Sequence, residues 1–115
     1  MVANNELLDS INSSCIEIQK ILNEHLESTQ NPLYKDDIAK DLVTLENLKL
    51  ITIAVKSDIE QGRVGASTEL LLRIAANDFN NKLSIIPEKK ALRKAIMQSL
   101  KEVHRNILRL TIHGE

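Results

Sequence analysis

Aromatic residues are almost missing from this chain. Its 115 residues include one Tyr, one Phe and no Trp. A core must therefore be built from Leu, Ile, Val and Ala. Such a core suits interdigitating helices and argues against a sheet protein, whose strands draw on aromatic and β-branched residues. The same shortage disfavours a surface on which single-stranded bases would stack. Cysteine is nearly absent too. With Cys15 alone, neither an intrachain disulfide framework nor a Cys-based zinc site can form. No apolar run approaches the roughly 20 residues that a membrane-spanning helix needs. No amino-terminal segment joins a basic head to an apolar stretch of signal-peptide length. A cytoplasmic protein without a membrane partner is expected.

Chemical motifs are missing as well. The sequence holds no P-loop, no Rossmann glycine pattern, no nucleophile elbow and no paired general acid and base. His25, His104 and His113 never stand three or four residues apart, so no two of them make a helical metal pair. No catalytic residue, cofactor site or metal site is assigned, and a non-enzymatic protein is expected.

What the chain does have is helical periodicity. From Asn4 to Leu26, apolar positions at Leu8, Ile11, Cys15, Ile18, Leu22 and His25 or Leu26 step by threes and fours. Asn4 or Asn5 is the expected N-cap of this first helix. Asn31-Pro32 is a start signal for a second helix, predicted over Pro32 to Gln61 and ended by Gly62. Its middle, Asp41 to Ile59, is the most apolar stretch of the protein. Leu42, Leu45, Leu48, Ile51 or Thr52, Val55 and Ile59 share one face, while Leu50, Ile53 and Ala54 widen the stripe. A helix apolar around most of its circumference calls for cover on more than one side. The β-branched run Leu48 to Val55 also allows a strand, but no partner strand or hairpin turn accompanies it.

Ser67 is the expected cap of a third, shorter helix over Thr68 to Lys82. Pro87 opens a fourth that runs to about Ile112, with a stripe of Leu92, Ile96, Ser99 or Leu100, Val103, Ile107 and Leu110. No internal repeat, low-complexity tract or long linker divides the chain. The expected architecture is all-α: an antiparallel four-helix bundle, three helices long and one shorter, as a single domain over 1–115. Helices of unequal length cover one another unevenly. An apolar strip left open would mark a partner surface, and a homodimer is the simplest way to hide it.

Net charge is −1, but it is divided unevenly. Residues 1–61 carry −6 and residues 62–115 carry +5. The surplus cations gather on the fourth helix. Lys90, Lys94, Lys101, Arg105 and Arg109 fall within about 100° of one another, opposite its apolar stripe. This face is the candidate partner-binding site. A solvated outer face, which every amphipathic helix needs, is its first reading; an acidic protein partner comes next and a phosphate backbone last.

Three smaller motifs have structural readings. Gly62-Arg63-Val64-Gly65 is a GxxG, the loop type with which KH domains clamp a nucleic-acid backbone, but that fold needs a sheet. Arg109 and His113 are similar in type to the Arg and His of HEPN-type ribonucleases. The spacing departs from that motif and its polar residue is missing, so a cation at a helix C-terminus is the simpler reading of His113. Asp36, Asp37, Asp41 and Glu46 are read as a solvated acidic turn and not as a cation site. The expected function is contact with another protein, as an adaptor, inhibitor, immunity protein or chaperone-like regulator. The alternative is a small helical nucleic-acid-binding subunit.

Overall fold

A computed structural model describes residues 3–62, 66–83 and 90–110. Four α-helices follow one another: α1 (Asn4–Ser28), α2 (Pro32–Glu60), α3 (Ala66–Lys82) and α4 (Lys90–Arg109). Among the described residues there is no strand, and Leu48 to Val55 is helical throughout. The helices pack as a ring: α1 on α2, α2 on α3, α3 on α4 and α4 back on α1. The two diagonal pairs do not approach. The result is an all-α four-helix bundle about 50 Å long and 23 × 19 Å across.

Local sequence explains where the helices begin and end, with two corrections. Asn31 caps α2 as expected, its side-chain oxygen accepting the Leu33 N–H at 3.0 Å, with Pro32 at the first helical position. Gly62 follows α2 with φ +70, and its N–H bonds to the Ile59 carbonyl at 3.1 Å. Only glycine takes that left-handed conformation without strain. The first correction concerns α1. It is preceded by Ala3, which offers no side-chain cap, so Asn4 and Asn5 lie inside the helix. In the second, α3 starts at Ala66, which places Ser67 within its first turn. The rest of the GxxG loop, the Pro87 start signal and the segment with Ile112, His113 and Gly114 lie outside the described residues.

One aliphatic core joins all four helices. α1 supplies Leu8, Ile11, Cys15, Ile18 and Leu22, with Leu7 beside them. α2 supplies Ile38, Leu45, Leu48 and Val55. Phe79 and Leu72 of α3 meet Ile96, Leu100, Val103 and Ile107 of α4 in the same cluster. Polar residues enter the α2 seam at two places. Thr52 is buried with its hydroxyl donating to the Leu48 carbonyl at 2.8 Å, which satisfies it within the helix. Asp41 is buried as well and engaged within the protein. This overturns its reading as part of a solvated turn: Asp41 occupies the seam position beside which Leu42 is only partly buried.

α2 is covered on more than one side, as expected, by α1 and by α3, but its cover is narrow. Its buried positions Ile38, Asp41, Leu45, Leu48, Thr52 and Val55 form a single narrow seam. Leu50, Ile53 and Ala54 lie on the open side. Leu45 is 1% exposed and Leu50 is 57% exposed, although both are leucines in one apolar run.

That contrast is directly testable. Leu45→Ala should cost about 2–5 kcal/mol of unfolding free energy through lost burial and a residual cavity. Leu50→Ala should stay within about 0.5 kcal/mol at protein concentrations where the chain is monomeric. Urea denaturation followed by circular dichroism measures both, and equal losses would contradict the single seam.

Candidate functional site

The cationic face of α4 is where sequence reasoning put a partner site. Lys94, Lys101, Arg105 and Arg109 are all exposed there, and the Lys90 side chain lies outside the described set. Opposite them, Ile96, Leu100, Val103 and Ile107 anchor α4 in the core, and the helix has one acid, Glu102. Arg105 bonds to Glu102 at 3.2 Å and so is partly neutralised. Lys94 and Lys101 make no ion pair among the described residues, which leaves their charge available to a partner.

These two lysines also border a hollow. A cavity of about 400 Å³ is lined by Lys94, Met97, Gln98, Leu100, Lys101 and His104. A second, of about 200 Å³, lies between α3 and α4 and is lined by Arg73, Asn77, His104, Ile107 and Leu108. His104 belongs to both, so the two hollows meet at that residue on α4. Of the four helix pairs, α3 and α4 approach each other least. Arg73 is tied to Glu69 at 2.8 Å, and His104 is half-buried. Burial lowers the His104 pKa below its ordinary value of 6.5. The fixed positive charges beside the two hollows are Lys94, Lys101 and the paired Arg73. The sequence pattern marked the lysines but not the hollow beside them.

A different open surface lies on α2 and α3. Val43, Leu50 and Ile53 of α2, and Leu70, Leu71 and Ile74 of α3, are each more than half exposed. On α2 the apolar positions Ala39, Val43, Leu50 and Ile53 keep a three-and-four rhythm on the side away from the core, with Glu46 among them. The neighbouring helix continues the strip. Lys82 of α3 shares a shallow hollow with Ala39 and Val43.

Chemistry elsewhere is sparse. Among the described residues no three His, Cys, Asp or Glu side chains gather as a metal site, and no helix is long and apolar enough to cross a membrane. Asp36 is paired with Lys40 at 3.2 Å. Cys15 is fully buried, and burial pushes its thiol from 9.0 up to about 12, against a small opposing pull from the Lys49 ammonium. A thiol so held is not a nucleophile at neutral pH. Arg109 and His113 cannot be compared as a pair, because His113 lies outside the described residues. No family model, curated protein or solved structure matches this chain.

The buried thiol generates a prediction about alkaline stability. The folded pKa is raised, so the stabilisation is complete below the unfolded value and is lost as pH climbs toward the folded one. Between pH 9 and 12 the unfolded chain releases a proton that the folded chain keeps. Stability should fall there by up to about 1.4 kcal/mol per pH unit from this group. Cys15→Ala should show a shallower decline than the parent when urea midpoints are measured across that range. Identical slopes would show that the thiol is not held in its neutral form.

Proposed function

We propose that this protein works by binding other proteins and has no catalytic activity of its own. The observation that carries this reading is the apolar strip of α2 and α3. Folded monomers seldom leave a large contiguous apolar patch in water, and those that do commonly use it for contact. The six large side chains Val43, Leu50, Ile53, Leu70, Leu71 and Ile74 are excluded from the core, yet they stand on two helices that pack directly against each other. Their aliphatic character matches that of the core itself. A second copy of the chain is the partner that the strip fits most simply, because a two-fold axis lets one patch meet itself. An adaptor, inhibitor, immunity or chaperone-like role accords with such a surface, and the cytoplasm with a single unpaired, buried cysteine.

A second reading rests on α4. Lys94, Lys101, Arg105 and Arg109 are exposed along one helix and could follow a phosphate backbone. Binding to DNA or RNA of this kind would weaken steeply with added salt. A binding assay at low salt that detects no complex removes it.

Sedimentation equilibrium tests the first reading. The chain should be a dimer at micromolar concentration. Leu50→Asp combined with Ile74→Asp should shift it to monomer with an unchanged circular dichroism spectrum, because both side chains are outside the core. A parent protein that stays monomeric at several hundred micromolar would rule out the homodimer.

A further inference from the structure

We infer that the two hollows that follow α4, the smaller of them shared with α3, form a docking site for an acidic amphipathic helix of a partner protein. The inference rests on reading the chain as a protein-contact module, but it uses a different surface from the apolar strip. Its first support is shape. The groove follows α4 from Lys94 to Leu108, roughly 20 Å at 1.5 Å per residue, which matches about four turns of an incoming helix. The second is the floor. Leu100 and Ile107 lie buried beneath it, and the exposed Met97 and Leu108 offer apolar surface, one in each hollow. Helices laid into such grooves insert side chains spaced by three, four and seven residues.

Charge selects the occupant. No carboxylate is among the described residues that line either part of the groove. Lys94 and Lys101 stand two turns apart on the rim of its larger part, and neither has an ion-pair partner among the described residues. Gln98 and Asn77 add neutral polar groups. A helix with leucines on one face and glutamates flanking them would match both floor and rim. A basic helix would face the lysines with like charge, which is strongly unfavourable across an interface.

The test uses two synthetic helices of about four turns, each carrying a leucine face, one flanked by glutamates and one by lysines. Fluorescence anisotropy against the full chain should show saturable binding of the glutamate helix, at least about tenfold tighter than the lysine helix. Lys94→Glu combined with Lys101→Glu should reverse that preference. Both side chains are exposed, and circular dichroism verifies that the variant is folded. Amide shift changes on adding the glutamate helix should centre on Met97, Lys101, His104 and Asn77. No saturable binding, equal affinity for the two helices, an unaltered preference in the double variant, or shifts centred on Val43 and Leu50 would each overturn the proposal. A chain that binds the glutamate helix but never dimerises would sink the homodimer and leave this site standing. The converse result would do the reverse.

Discussion

The fold depends on one seam. Along α1, Leu8, Ile11, Cys15, Ile18, Leu22 and His25 are all buried, at steps of three and four residues. α1 is the helix that meets both α2 and α4 closely, so this row of side chains anchors half of the ring. Its residues are small and aliphatic because the chain has almost nothing else to use. Interdigitating rows of this kind hold long helices at shallow angles, and each row can fill only one flank of its neighbour. The extended shape, the single core and the open outer faces all follow from that geometry. Two polar bridges reinforce the α1–α2 contact without directing it. Lys56 bonds to Asp9 at 2.7 Å, and Lys49 donates to Gln19 at 2.9 Å. Exposed pairs of this sort contribute little compared with buried aliphatic area.

Much of this was legible in the sequence wherever one periodic stripe stood alone. The α1 stripe matches the buried set, with His25 and not Leu26 taking the last fully buried place. The α4 stripe matches too, apart from Asn106, a polar residue that the structure buries. α2 shows the limit. Its apolar residues surround the helix, so hydropathy alone could not tell Leu45 from Leu50. Only the position of neighbouring helices decides which side is filled. The same limit explains Asp41, whose seam position counts for more than its charge once the helix is docked. Capping was readable at Asn31 and Gly62, where Pro32 and the need for positive φ narrow the choices. It was not readable at Ala3, where no side chain caps the helix.

The candidate site divides in the same way. The cations of α4 could be counted and placed on one face, because charge and spacing belong to a single helix. The groove beside them belongs to two helices and to the gap between them. The smaller hollow is lined from the middle of α3, by Arg73 and Asn77, and from α4, by His104, Ile107 and Leu108. No residue of α4 announces that gap. Charge patterning also took on a sharper meaning in three dimensions. The acidic half and the basic half could have neutralised each other by packing. Instead, ion pairs among the described residues lie within single helices or between α1 and α2. α1 and α4 pack through their aliphatic rows and leave their opposite charges on the outside.

This arrangement sets stability against accessibility along one seam. The α3–α4 contact is the loosest of the four, and the smaller hollow lies along it. Larger apolar side chains at Asn77 and His104 would bury more surface and tighten the ring, and would also fill the hollow. Phe79 and Leu72 keep α3 attached through the core. α3 is held between α2 and α4, with Arg73 and Asn77 beside the smaller hollow and Leu70, Leu71 and Ile74 on its outer face. The shortest helix therefore borders both the smaller hollow and the exposed apolar side chains.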